Sequence, residues 1–428
     1  MVNTRLTTTQ AAEKLGVKPA TLYAYVSRGL LGREKTTAGS TFDAQEVARL
    51  ARSSRHPAGA AGYSGRRRPA PGGNRSNEPV FVTELTLIED GRLYYRGLDA
   101  VELSTSRTFE EVAGWLWSGR WPDADERWFT PPAATSAVAI AAARLDRSAL
   151  PIERFMVAVV AAALVDEMRH DLSPAAVPLV GRGLLSALVD ALVPARGGGL
   201  RVVSPENRSI SERLWPRLSR LPSTPARLGV LEAALVLVAD HELAPSTLAA
   251  RVAAALRADP YAVVMTGLGP ASGSWYSGSS GAPTEVELLL AEAASVDAER
   301  AIGERLRRTG APPHGFGMPL YPDGDPRGKM LLSRVEEVAG SPARHEVVRR
   351  LTDVAAERGF APPNVDLGLG ALAFCAEMVP GAGQAISTFG KVAGWLAHAM
   401  EEYSNPTRFR SRADYVGRRP EEASLLSS

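Results

Sequence analysis

The sequence predicts a mainly α-helical protein in which a small amino-terminal helical module is tethered to a large helical body. Three observations carry this prediction. Ala, Leu and Val dominate while aromatic residues make up only 6% of the chain, and Ala and Leu have the highest helix propensities. Residues 134–256 run as a succession of apolar segments of helical period, broken by Pro or Gly, with no internal repeat. Between residues 52 and 77 the composition turns to Gly, Pro, Ser, Ala and Arg, with scarcely an aliphatic residue, so this stretch buries too little surface to fold.

The chain has 428 residues, 45% of them hydrophobic and 22% charged, as expected of a globular protein with a sizeable core. Lys and Arg number 49 against 47 Asp and Glu, a net charge of +2, so no global field points to nucleic acid. Cys375 is the only cysteine, which rules out an intrachain disulfide and fits a reducing compartment. No apolar run reaches the ~18 residues that would span a bilayer, and Met1 to Arg5 does not open a secretion signal. The expected location is the cytoplasm, with no membrane partner.

Taken in order, Leu6 to Leu31 reads as two short helices with a tight turn. Thr7 or Thr8 caps the first helix, and Ala11, Ala12 and Leu15 form its apolar stripe. Gly16 breaks it, and Lys18-Pro19 starts the second helix where Pro is tolerated. Leu22 and Val26 then face inward, leaving Lys18, Thr21, Tyr25 and Arg28 outward. This pattern is a helix-turn-helix, similar to the MerR-like class, with Thr41-Phe42 as a wing and residues 43–50 as a following helix. Its second helix has the form that enters a DNA major groove; the other reading is an appendage used for assembly. The module is placed at residues 1–51. The basic linker spans 52–78, and its Arg66-Arg67-Arg68 either adds sequence-independent phosphate contacts or keeps the tether soluble.

Order resumes near Pro79. Val80 to Ile88 tends towards a strand, Asp90-Gly91 makes a turn, and Leu93 to Gly97 returns as the second strand of a hairpin. Thr108 and Glu111 have capping-box spacing ahead of an apolar helix. An almost continuous apolar helix, Leu231 to Ala239, runs directly into Asp240-His241-Glu242. Taken alone, His241 reads either as a hydrogen-bonded core histidine or as a ligand group. A Gly/Ser-rich loop, 267–283, precedes a helix starting near Thr284. The stretch from Gly310 to Arg327 is too rich in Pro and Gly for helix or strand. Phe316, Leu320 and Tyr321 make it too apolar for an idle solvent loop. It is a long connector or a stiff ligand wall.

Several blocks then resemble the citrate synthase family. Gly-Phe-Gly-Met-Pro-Leu-Tyr-Pro-Asp-Gly-Asp-Pro-Arg, 315–327, is similar to its signature loop. Asp240 to Val252, Asn364-Val365-Asp366, Phe389 to His398 and Arg410 to Gly417 are similar to further blocks, as are Tyr95-Arg96-Gly97 and Phe109 to Ala113. The resemblance covers roughly residues 79–418. It implies a large helical domain, 79–268 with 379–418, a small helical domain, 269–378, and a tail, 419–428. It also implies a homodimer whose carboxy-terminal tail reaches the neighbouring site.

The family joins an acyl-CoA to a 2-oxo acid in a Claisen-type condensation, with no tightly bound cofactor and no metal. A thioester methyl is a weak carbon acid, so a base must take its proton while one donor steadies the enolate and another polarises the ketone. Cationic side chains must hold the carboxylates. The resemblance assigns Asp366 as base and His241, Arg327 and Arg410 as oxo-acid ligands. Lys391 stands where the family has a substrate-binding Arg. Tyr276 is nearest to the enol-stabilising His and keeps a hydroxyl donor. Met318 replaces the carbonyl-polarising His, and a thioether donates nothing. His314, four residues earlier, is a candidate substitute. Each lost donor of this kind typically costs ~10²–10³ in rate. The expectation is therefore a condensing protein of altered or strongly weakened activity. The alternative is a catalytically silent sensor of acyl-CoA or a carboxylate that regulates through duplex DNA.

Overall fold

The computed structural model describes residues 5–15, 19, 22, 26, 31, 33–36, 39–44, 47, 81–122, 128–197, 208–273 and 281–409. Its contacts divide the chain into two units, Met1–Asn77 and Glu78–Ser428.

The first unit contains strand β1 (Arg5–Thr7), helix α1 (Thr8–Leu15) and strands β2 (Glu34–Thr36) and β3 (Gly39–Asp43). Thr7 closes α1 by reciprocal bonds: its N–H donates to Gln10 Oε1 at 3.0 Å, and the Gln10 N–H to Thr7 Oγ1 at 3.3 Å. Leu6, expected at the head of a helical segment, lies in β1 and pairs with Phe42 of β3. Residues 5–7 are recruited as an edge strand by β3, and the Arg5–Glu34 ion pair at 2.7 Å ties that edge to β2. The expected wing is therefore the β2–β3 hairpin. Ala11, Ala12, Leu22, Leu31, Phe42 and Val47 form a small buried core with Leu6, Leu15 and Val26 packed against it, so Leu22 and Val26 face inward as the sequence predicts. Lys18, Thr21, Tyr25 and Arg28, and the linker 52–78, lie outside the described residues.

The second unit opens with the predicted hairpin, β4 (Thr86–Glu89) and β5 (Arg92–Tyr95), extended by β6 (Leu98–Asp99). Asp90 and Gly91 both take positive φ, 50° and 72°, the geometry a two-residue turn needs to match strand twist. Among the described residues fifteen helices follow: α2 (Ala100–Ser106), α3 (Phe109–Ser118), α4 (Pro132–Ala142), α5 (Pro151–Ala163), α6 (Ala176–Asp190), α7 (Ile210–Leu218), α8 (Pro225–Leu237), α9 (Pro245–Ala255), α10 (Pro260–Ala271), α11 (Ala282–Ser295), α12 (Ala298–Thr309), α13 (Pro326–Val338), α14 (Pro342–Glu357), α15 (Val365–Cys375) and α16 (Ala382–Ser404). The capping box Thr108–Glu111 forms at the start of α3. Pro occupies the first turn of many of these helices, where its missing N–H costs nothing. Among the described residues, no helix is long and apolar enough to cross a membrane.

One continuous core joins these helices, and α16 is its axis. Twenty of the 23 residues of α16 are buried, including Lys391 and His398. A helix apolar on nearly every side is one surrounded by protein. Among the polar residues it carries inside, Gln384 donates to the Ala271 carbonyl at 3.1 Å and His398 meets Asp240 at 3.1 Å.

Candidate active site

The 310–325 loop is a built wall, not a slack connector. Asn364 caps α15 by accepting from the Asp366 N–H at 2.9 Å and donates Nδ2–H to the Gly317 carbonyl at 2.8 Å. The Asn364 N–H donates to the Gly315 carbonyl at 2.9 Å, and the Gly317 N–H to the Pro362 carbonyl at 2.8 Å. Gly315 and Gly317 of the loop are thereby fixed against the start of the helix that bears Asp366. At the other end, Asp325 caps α13 by accepting the Arg327 N–H at 3.0 Å and also accepts the Val365 N–H at 3.0 Å. Its carboxylate holds the Arg327 guanidinium at two points, Nε at 3.0 Å and Nη2 at 2.8 Å. Helices α13 and α15 cross so closely that a Cβ at Gly328 would stand 2.4 Å from the Asn364 carbonyl. Only glycine allows this contact, which brings Arg327 and Asp366 to one place.

His241 is supplied from the opposite side. The sequence predicted that the helix would run into it; α8 instead ends at Leu237. The Tyr95 hydroxyl explains the early stop. It donates to the carbonyls of Val236 and Asp240, at 3.0 and 3.1 Å, and accepts the Asp240 N–H at 3.3 Å, holding residues 238–242 as a turn. Glu242 in that turn has φ 48°. The Gly394 N–H of α16 donates to the Ala239 carbonyl at 3.0 Å, and a Cβ at Gly394 would strike that oxygen at 2.4 Å. Helix α16 thus presses against the turn, and Lys391, one turn earlier, is carried beside His241.

Asp240, next to His241, anchors a chain of buried polar groups. It accepts hydrogen bonds from the Thr86 hydroxyl and from His398 Nε2 at 3.1 Å. His398 Nδ1 faces the Arg251 guanidinium at 2.8 Å. Arginine can only donate, so the proton of His398 sits on Nε2 and points at Asp240. Arg251 completes the chain with Glu402 at 2.7 Å and Glu401 at 2.9 Å. The turn carrying His241 is therefore fixed by charge-assisted bonds as well as by packing.

Inside, Asp366 (2% exposed), Arg327 (3%) and Lys391 (8%) are all buried. Burial lowers the Lys391 ammonium to about 8, with Asp366 and Asp240 raising it and Arg327 lowering it. Burial, followed by the charges of Arg327 and Lys391, holds His241 well below the usual imidazole range. His241 is thus a neutral imidazole, and its Nε2 meets the Tyr321 hydroxyl at 2.9 Å. Burial pushes the Tyr321 phenol up, so that hydroxyl stays protonated. Burial alone would lower the Arg327 guanidinium, but Asp325 and Tyr321 outweigh it and the net shift is upward. Lys391, neutral His241 and the Arg327 guanidinium, whose Nε and Nη2 are already engaged by Asp325, can hold a carboxylate-bearing ligand with Asp366 left beside it as a base.

Of the residues named from sequence, the fold brings Asp366, His241, Arg327 and Lys391 together. Met318 lies half-buried in the loop stitched to Asn364, and its carbonyl accepts the Tyr321 N–H at 2.8 Å. His314 has other electrostatic neighbours, Glu285 and Arg305, themselves paired at 2.8 Å. The backbone turns at Gly315, whose φ is 101°, and directs His314 towards α11 and α12. Tyr276 and Arg410 lie outside the described residues. Sequence reasoning did not single out Tyr321 as the partner of His241, Asp325 as the clamp on Arg327, or the chain Thr86, Asp240, His398, Arg251. Asp325 sits within the Asp-Pro-Arg that did stand out; the others pair only across the fold. Among the described residues, no group of three or more His, Cys, Asp or Glu could hold a metal ion.

Residues 75–412 match the family model described as citrate synthase, C-terminal domain, and residues 6–54 match that of the MerR HTH family regulatory proteins. The chain is 28% identical over 361 residues to citrate synthase 2 of Bacillus subtilis, covering 80% of this chain and 95% of that protein. It is 25% identical over 362 residues to 2-methylcitrate synthase 2 of Corynebacterium glutamicum, covering 79% of this chain and 92% of the relative. Among solved structures, the citrate synthase of Thermotoga maritima superposes with a TM-score of 0.64 at 22% identity, over 79% of this chain and 94% of that one. The citrate synthase of Thermoplasma acidophilum, in ternary complex with carboxymethyl coenzyme A and oxaloacetate, gives 0.64 at 20% identity, over 80% and 95%.

Proposed function

The chain belongs to the citrate synthase family, and on that premise we propose that it binds an acyl-CoA and a 2-oxo acid and joins them in an altered, strongly weakened condensation. The observation that carries this reading is the grouping of buried Asp366, Arg327 and Lys391 with half-buried His241; in this reading Met318 stands at a donor position of the family. In this reading Asp366 takes a proton from the carbon next to the thioester carbonyl. The new carbanion equivalent then attacks the ketone carbon of the oxo acid, whose oxygen takes up a proton. Hydrolysis of the thioester releases CoA. Arg327, Lys391 and neutral His241 hold the carboxylates, Arg410 adds a further cation, and Tyr276 supplies the hydroxyl that steadies the enolate. The complex of the Thermoplasma acidophilum relative with a CoA analogue and oxaloacetate supports the choice of ligands. No tightly bound cofactor is called for.

We place the protein in the cytoplasm as a homodimer whose tail completes the neighbouring site. An apolar face supports the dimer: Ile140, Val160 and Leu164 are 68%, 52% and 74% exposed and, with Met156, Val157 and Val165, line a groove of about 590 Å³. Patches of this kind mark protein–protein contact.

A second reading has its own support. The match of residues 6–54 to MerR regulators, together with the thioether at 318, suits a catalytically silent sensor that binds acyl-CoA or a carboxylate and acts on duplex DNA. The test is thiol release from acetyl-CoA and propionyl-CoA with oxaloacetate, run beside thermal stabilisation by each compound, since ligands of the folded state raise its melting temperature. Slow, substrate-dependent release is expected. Stabilisation without any release would favour the sensor, and neither effect would contradict both readings.

A further inference from the structure

Away from the Asp366 group, the second unit contains a cavity of about 450 Å³ whose wall, among the described residues, carries four arginines, Arg147, Arg154, Arg217 and Arg220, and no carboxylate. Its remaining lining is largely apolar, from Leu150, Pro151, Leu192, Val193, Val379 and Pro380. Arg154 is 3% exposed, and its hydrogen bonds go to neutral carbonyls, Nε to Ala149 at 3.3 Å and Nη2 to Asp146 at 2.7 Å. The Asp146 carboxylate turns away, accepting from the Ser148 N–H and hydroxyl at 2.8 and 2.6 Å. Carbonyls satisfy the N–H groups of a buried guanidinium but leave its charge without a counter-charge in contact. Arg217 meets Asp190 at 3.4 Å, a carboxylate already held closer by Arg213 at 3.1 Å and by the Thr130 hydroxyl at 2.6 Å. Arg147 and Arg220 stand exposed at the rim and make no ion pair among the described residues.

We propose that this cavity is a binding site for an anion bearing two or more adjacent phosphates, either a free polyphosphate or the phosphate chain of a nucleotide. Guanidinium forks match phosphate oxygens two at a time, and four of them around one cavity exceed what a single carboxylate or phosphate group engages. The apolar wall and the volume suit a ligand with a non-polar body, within the usual range of small-molecule sites. The cavity also lies on a connection that matters. Val379 donates its N–H to the Leu218 carbonyl at 2.8 Å, and Val379-Pro380 joins α15, which bears Asp366, to α16, which bears Lys391.

The test is calorimetric titration of the full-length protein with sodium pyrophosphate, sodium tripolyphosphate and ATP, against sodium sulfate at equal ionic strength. Arg147→Ala/Arg220→Ala is the test variant and Arg147→Lys/Arg220→Lys the charge-keeping control. Both arginines are exposed, so neither variant disturbs the core. Saturable binding of the phosphates, weakened at least tenfold by the Ala pair and largely kept by the Lys pair, is the expected result. ATP much tighter than tripolyphosphate would identify the nucleotide as the source, and equal affinities the polyphosphate. No saturable binding, binding that the Ala pair leaves unchanged, or sulfate binding as well as the phosphates, would overturn the proposal. So would citrate that binds in an Arg147- and Arg220-dependent way while the phosphates do not. None of these outcomes depends on whether the Asp366 site condenses anything.

Discussion

Lys391 makes oxo-acid binding depend on pH in a way that a guanidinium at the same position would not. Burial lowers its ammonium from 10.5 to about 8 in the free protein. A bound carboxylate returns an opposite charge and raises that value again, so binding is linked to protonation of the lysine. The sign follows directly. Below pH 8 the lysine is charged with or without ligand, and affinity is flat. Above pH 8 a proton must be taken up for binding, and affinity falls tenfold per pH unit until the pKa of the complex is reached. Between pH 7 and pH 9 the expected loss in oxaloacetate affinity is about tenfold, read by calorimetry. Lys391→Arg should bind with no such decline, because arginine stays charged throughout. Glu287 and Glu232, raised by burial to about 7 and about 8, titrate in the same window but are present in both proteins. A wild-type affinity constant within twofold from pH 7 to 9, or an equal decline in Lys391→Arg, would refute the reasoning.

Restoring a ring N–H by Met318→His should raise citrate formation by ~10²-fold, the typical worth of one such donor, and further with Tyr276→His added; a folded, CoA-binding double variant that stays inert would show that the surrounding loops have diverged too. Leu164→Lys, placed in the apolar groove, should shift the proposed dimer towards monomer in analytical ultracentrifugation, and an unchanged mass distribution would move the interface elsewhere. Duplex DNA carrying the protein's own upstream region should be bound in a salt-sensitive way. Replacing Lys18, Thr21, Tyr25 and Arg28 with Ala should abolish that binding, and under the sensor reading citrate or an acyl-CoA should change it several-fold. No binding at low salt would leave the amino-terminal unit as an assembly module.

Local chemistry made much of this molecule legible before any coordinates. The turn at Asp90-Gly91, the capping box of Thr108 and Glu111 and the inward Leu22 and Val26 each depend on residues within a turn or two of one another. Ordered similarity to a family supplied Asp366, His241, Arg327 and Lys391. What escaped was the pairing between distant segments. Tyr321 reaches His241 across 80 residues, and His398 reaches Asp240 across 158. The Tyr95 hydroxyl that ends α8 early lies 141 residues from Val236. No periodicity records such contacts, and the apolar run to Ala239 read as continuous helix because its tertiary stop is invisible along the chain. Leu6 was misplaced for a related reason, since β1 exists only as the edge that β3 recruits. His314 looked like a substitute donor on spacing alone, and the left-handed turn at Gly315 aims it elsewhere.

The most direct test of the condensing assignment is exchange of solvent deuterium into the methyl group of acetyl-CoA, followed by mass spectrometry of the recovered thioester. It reports proton removal without requiring the second substrate or a donor at position 318. Exchange above the protein-free rate, abolished in Asp366→Asn with acyl-CoA binding retained, is the predicted result. Undiminished exchange in Asp366→Asn, or none in the wild type with any acyl-CoA tested, would contradict the assignment of Asp366 as base.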